Sequence, residues 1–149
     1  MKTFKDYLKA NGKCTVELFK LNQNTRSWDE VIVSVEMTDT DYIISHKGEE
    51  TSFSLDTDIQ NLLDEYLYYK HKLEIRFCEE CGKPYDKGYV MDDGFWYICE
   101  DCFNTAMDSR YGANKWRASD EEGADDGWYE YINDDGEWED TAIYYTEWN

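Results

Sequence analysis

Four of the chain's five cysteines fall in "FCEECGKPYDKGYVMDDGFWYICEDCF", residues 77–103, as two C-x-x-C pairs. Cys78 and Cys81 are followed by seventeen residues and then by Cys99 and Cys102. This spacing is that of a zinc site: a C-x-x-C turn lets two thiolates reach one ion, and two such turns complete a closed tetrahedral S4 shell. Gly82, directly after the second cysteine, permits the tight backbone turn a knuckle needs.

Other uses of four cysteines fit less well. Redox C-x-x-C pairs call for a thioredoxin-like βαβ setting, which the flanking sequence lacks. Ferredoxin-type runs that hold iron–sulfur clusters are spaced differently. With four protein ligands no coordination position stays open, so the expected role of the zinc is structural rather than catalytic.

The residues between the pairs read as a hairpin, "GYVM" and "FWYIC" around Asp92-Asp93-Gly94. After Cys99 the period becomes helical, with Phe103, Ala106 and Met107 on one face and Gly112 as a stop. Knuckle, hairpin and a helix carrying the last ligands together resemble the treble-clef zinc fingers, and the C-x2-C-x17-C-x2-C spacing is similar to that of GATA-type fingers. The resemblance covers residues 77–112 and implies Cys78, Cys81, Cys99 and Cys102 as zinc ligands. GATA-type fingers read DNA with basic surfaces, whereas this hairpin carries Asp86, Asp92 and Asp93 and the helix opens with Glu100 and Asp101. DNA binding therefore does not follow from the spacing.

The elements that must support this module are legible upstream. "FKDYLKA" reads as a short helix ended by Asn11-Gly12, "CTVELFKL" and "EVIVSVEM" as strands, and "DYIISHK" with "TSFSL" as a second hairpin. In "DTDIQNLLDEYLYYK" Ile59, Leu62, Leu63, Tyr66 and Leu67 recur at helical spacing, with acids expected in the first turn. "LEIRF" leads as a short strand into Cys78. The fold class expected is α+β: a small antiparallel sheet with a covering helix, then a treble-clef-like zinc module, then a C-terminal β-hairpin. The expected domains are an α+β domain at 1–76, the zinc module at 77–117, and an acidic, aromatic segment at 118–149.

Composition sets the functional bounds. The 149 residues are 41% hydrophobic, 33% charged and 17% aromatic, which suffices for a core and argues against wholesale disorder. "MKTFKDYLKANGKC" has no apolar run of the kind a secretory signal carries. No stretch approaches the roughly 18 apolar residues of a membrane span. A cytoplasmic, reducing setting is expected, where thiols more often serve as metal ligands than as disulfides. Cys14 opens a strand pattern and reads as a buried, inert thiol. His46 and His71 stand at no metal-ligand spacing. Among 34 carboxylates any acid/base couple is uninformative, and no nucleophile-elbow, Walker or zincin motif is present. A non-enzymatic protein is expected.

The net charge is -19, and residues 118–149 carry twelve acids with no Lys or Arg. Those acids are interleaved with aromatics that a solvated linker would lack. "GWYEYIN-DDG-EWED" reads as a hairpin around Asp134-Asp135-Gly136, preceded by a mobile link at 120–126. The expected function is binding to a basic, nucleic-acid-handling protein through Trp128, Tyr131, Asp134, Asp135, Glu137 and Trp138. Its narrower form is nucleic-acid mimicry, as used by anti-defence proteins of mobile elements. Twelve acids in 32 residues give one per ~9 Å of strand, against one phosphate per ~3.4 Å of DNA strand. Mimicry therefore requires folding to gather carboxylates from several segments.

The competing expectation is direct nucleic-acid binding. "SRYGANKWRAS" holds Arg110, Lys115 and Arg117 with no acid among them. Three cations neutralise ~3 phosphates, which is few against the charge of the whole chain.

Overall fold

The computed structural model describes residues 2–91, 96–118 and 128–149, with the backbone alone at Trp128. The turn expected at Asp92-Asp93-Gly94 and the link expected at 120–126 lie outside the described residues. The chain divides into two compact units, Met1–Asp86 with Trp148–Asn149, and Lys87–Glu147.

The first unit opens with α1 (Phe4–Asn11), whose start is fixed by a capping box. The Asp6 amide donates to Thr3 Oγ1 at 3.2 Å, and the Thr3 amide returns a bond to Asp6 Oδ2 at 2.9 Å. The Thr3 amide also stabilises the charged carboxylate and holds Asp6 below the usual aspartate range. Gly12, with φ +78°, closes the helix by donating to the Leu8 carbonyl.

Four antiparallel strands follow, β1 (Lys13–Asn22), β2 (Ser27–Met37), β3 (Asp41–His46) and β4 (Glu49–Ser54), side by side in chain order. Period-2 alternation sends Cys14, Val16 and Leu18 to one face, and the register sets them opposite Val35, Val33 and Val31. Tyr42 and Ile44 of β3 join the same face. Phe4 and Leu8 of α1, with Ile59, Leu63 and Leu67 of α2 (Ile59–His71), complete that core. The helices thus cover one side of the sheet only. The acid expected in the first turn of α2 sits one step earlier: Asp58 is the N-cap and accepts from the Asn61 amide at 3.2 Å.

Lys72 takes a left-handed conformation to end α2, after which Leu73 and Ile75 enter the core. Short strands β5 (Arg76–Phe77) and β6 (Pro84–Tyr85) pair across the first C-x-x-C turn. The chain's last two residues belong to this unit. Trp148 packs on Tyr85 and beneath the Arg76 guanidinium, while Asn149 bonds the backbone of Glu74 in both directions.

The second unit is a five-stranded antiparallel sheet with one helix. Strands β7 (Lys87–Met91), β8 (Trp96–Cys99), β9 (Trp116–Ala118), β10 (Trp128–Ile132) and β11 (Trp138–Glu147) run in the order β8-β7-β11-β10-β9. Helix α3 (Glu100–Tyr111) follows β8 directly. The end of the basic stretch supplies β9, where Arg117 pairs in register with Glu130. The C-terminal hairpin lies between β9 and β7.

An aromatic cluster fills this unit. Tyr89 stacks on Phe103 at 3.5 Å between ring centres, with Tyr129, Trp116 and Tyr145 arranged edge-on around the pair. Burial and a bond to the Tyr89 hydroxyl push the Tyr129 phenol far above its ordinary range, so it stays neutral. Glu130 is buried, and the Arg117 Nε donates to its Oε1 at 2.5 Å. The same guanidinium lies 3.8 Å from the centre of the Trp138 ring.

Arg117→Ala strands the Glu130 carboxylate and is expected to cost about 1–3 kcal/mol. That is below the ~3–5 kcal/mol for breaking a fully buried pair, because the arginine side chain is 44% exposed. Urea denaturation checks it. Arg117→Lys should restore only part of the loss, since a lysine keeps the charge without the planar fork that stacks on Trp138.

Candidate metal centre

Each C-x-x-C pair is held by its own local device. At the first, the Cys78 amide donates to the Lys83 carbonyl at 2.9 Å, and the Gly82 amide donates to the Cys78 carbonyl at 2.7 Å. These bonds curl residues 78–82 into a knuckle closed by the β5–β6 pairing. Gly82 has φ +81°, and a Cβ built on it would lie 2.0 Å from the Thr3 carbonyl oxygen. The amino-terminal segment packs so closely here that no side chain fits, and the Lys2 amide donates to the Glu79 carbonyl beside it.

At the second pair, Cys99 ends β8, opposite Gly88 of β7, and is also the N-cap of α3. Cys102 sits in the first turn of that helix. Strand and helix therefore fix the two thiols three residues apart, at a helix start whose unpaired amides favour negative charge.

The four sulfur atoms of Cys78, Cys81, Cys99 and Cys102 all lie within 4.8 Å of one another. Cys78 and Cys99 are buried and Cys81 and Cys102 half-buried. This set could hold a metal ion. Among the described residues it is the one such cluster of His, Cys, Asp and Glu.

The fifth thiol is different. Cys14 is buried in the core of the first unit, and desolvation pushes its pKa up to about 11, so it is protonated at neutral pH. His46 and His71, distant in sequence, meet edge to face at 4.7 Å. His46 Nδ1 lies 3.0 Å from the Ile32 carbonyl, whereas buried His71 Nε2 has no hydrogen-bond partner among the described residues. Burial, with His46, Lys20, Lys70 and Lys47 nearby, pulls His71 below the usual histidine range. The pair joins a strand end to a helix end, a proximity that residue spacing alone does not reveal.

The residues expected to bind a partner lie on or beside the β10–β11 hairpin. Asn133 Oδ1 accepts from the amides of Asp135 and Glu137, both at 3.0 Å, which pins the turn. Asp134, Asp135 and Glu137 are exposed there, and Trp138 is 37% exposed. Tyr131 is half-buried instead: its ring stacks on Tyr111 at 4.8 Å and its hydroxyl donates to Glu139. Of the three bases, Lys115 is exposed at the chain bend before β9, Arg110 lies 5.8 Å from the Tyr111 ring centre, and Arg117 is engaged with Glu130 and Trp138.

Replacing any one of the four clustered cysteines by serine should remove most bound metal from the purified chain, whereas Cys14→Ser should leave one equivalent. Elemental analysis by mass spectrometry checks both. Gly82→Ala should lower the melting temperature even with metal present, because the Thr3 backbone must retreat from the new Cβ. No protein-family model, curated protein or solved structure matches this chain, so the site is interpreted from its own chemistry.

Proposed function

We propose that the chain is a non-enzymatic protein-binding protein whose middle is organised by one structural zinc ion. It engages a basic, nucleic-acid-handling partner through an acidic, aromatic surface. For zinc, tetrahedral S4 coordination with bonds of ~2.3 Å puts the sulfurs ~3.8 Å apart, a spacing to which the observed cluster needs little adjustment. Four sulfur donors suit a borderline-soft ion with no geometric preference of its own, and they leave no position for a substrate. A treble-clef arrangement is the finer form of this reading. The β7–β8 pairing followed at once by α3, with Cys99 and Cys102 at the helix start, supports it.

For the binding surface, the carrying observation is the turn pinned by Asn133. It displays Asp134, Asp135 and Glu137 beside the exposed face of Trp138. Carboxylates steer a cationic partner from a distance, and an aromatic ring supplies the desolvated contact once it arrives. The arginine nearest this surface, Arg117, has its charge answered by Glu130 and so does not neutralise the turn. The same engagement weighs against direct nucleic-acid binding through Arg110, Lys115 and Arg117.

Two experiments test the proposal. Cobalt substitution should give a spectrum of tetrahedral tetrathiolate coordination; fewer than four thiolates would remove the structural-site reading. Affinity capture at ~50 and ~300 mM salt should retain basic, nucleic-acid-handling proteins at the lower concentration and shed them at the higher. An Asp134→Asn/Asp135→Asn/Glu137→Gln variant should lose them at both. Retention of only neutral or acidic proteins, indifferent to salt, would overturn the binding assignment.

A further inference from the structure

The outward face of the N-terminal sheet is not an ordinary solvated face. Antiparallel sheets with one buried side usually alternate apolar-in with polar-out. β1 and β2 obey this near α1 and break it toward their shared turn. Phe19 and Leu21 of β1, with Trp28 and Ile32 of β2, point away from the core and are 45%, 42%, 60% and 42% exposed. The register makes them one patch: Leu21 lies opposite Trp28, Phe19 opposite Glu30, and Glu17 opposite Ile32. Single exposed apolar side chains are common, but a contiguous group marks an interaction site.

The patch has a charge pattern. Apolar and anionic side chains alternate across the two strands as Ile32–Glu17 and Phe19–Glu30, and Glu36 and Glu50 face outward further along the sheet. Along the four strands Lys13 is the outward lysine, and it stands opposite Glu36. Beside Ile32 runs an open groove of about 390 Å³ between β2 and β3, lined by Ile32, Ser34 and Ser45 together with Glu30, His46 and Lys47.

We infer that this face is a second docking surface, and that its occupant is an extended protein segment in which Lys or Arg and apolar residues alternate along one face, at every second position. The inference rests on the protein-binding reading above and adds a contact surface in the other unit. In an extended chain every second side chain shares a face, so alternation at every second position matches the apolar–acid–apolar order Trp28–Glu30–Ile32: bases reach Glu17 and Glu30 while apolar side chains cover Phe19, Trp28 and Ile32. A second copy of this chain is the poorer occupant, because it would set glutamates against glutamates.

The test uses the zinc-loaded full chain, uniformly ¹⁵N-labelled, titrated with a synthetic peptide repeating Lys-Ser-Val-Ser, which sets Lys and Val alternately on one face of an extended chain. Amide shifts should concentrate at residues 17–21 and 28–32. A Trp28→Ser/Ile32→Ser variant should weaken binding at least tenfold with its melting temperature unchanged, since both side chains point outward. A Glu17→Lys/Glu30→Lys variant should reverse the preference toward the same peptide with Glu in place of Lys, which tests the charge pattern without touching the apolar residues. Shifts confined to residues 131–140 would overturn this inference and leave the acidic turn as the binding surface. Absence of shifts anywhere would overturn this inference, while the turn at 134–137 stands or falls by the capture experiment above. A concentration-dependent dimer lost on Trp28→Ser would assign the face to a second copy and overturn the occupant named here.

Discussion

Four thiol sulfurs within 4.8 Å of one another are stable as a group only when something answers their chemistry. As thiolates they would place several like charges at close range in a partly buried site, which only a cation compensates. As thiols they are weak donors that would reward close gathering very little. Local construction around them is nevertheless costly to change. The knuckle excludes any side chain at position 82, and the N-cap of α3 is a cysteine in place of the usual Ser, Thr, Asp or Asn. That cap makes no side-chain bond to the helix amides. Metal binding and folding are coupled in such sites, because the ligand set does not exist in the unfolded chain.

Charge is the second constraint. A chain with 34 acids and 15 bases must place its carboxylates where water can reach them or answer them internally. Glu130 is the instructive exception. It is buried, and Arg117 binds it while stacking on Trp138, so a base that looked available for phosphate in the linear sequence has its charge answered internally. The turn at 134–137 is the opposite case, with backbone amides bonded to Asn133 while the acids face solvent. Tyrosines near the acids stay neutral and serve as packing: Tyr129 within the aromatic cluster, and Tyr131 against Tyr111.

Much of the secondary structure was legible because each signal was local. Asn11-Gly12 announces a helix stop and the alternation Cys14–Val16–Leu18 a half-buried strand, whereas the Thr3–Asp6 capping box emerged only in the structure. The Ile59–Leu63–Leu67 stripe gave the covering helix, and the turn glycine at 136 gave the last hairpin. The four clustered cysteines were legible for the same reason, since each C-x-x-C turn is a five-residue event. The role of Trp116–Ala118 was not. A three-residue strand carries no period of its own, and it exists here because β10 offers it a ladder. The acid before α2 was displaced by one position, which is the ordinary difference between a cap and a first turn.

By itself, the sequence determined most of the elements and picked out the four cysteines that could hold a metal ion, because propensity, helix stops and C-x-x-C pairs act over a few residues. It also determined that the chain is strongly acidic, with that charge concentrated at its end. Only the tertiary structure decided which bases remain available, since Arg117 meets Glu130 and Trp138 through strand pairing and not through proximity in the chain. It likewise decided that His46 meets His71, and that Phe19, Leu21, Trp28 and Ile32 share one uncovered face. Strand register and helix placement bring together residues that are far apart in sequence, and both are set by burial of the whole core, which no short window of residues contains.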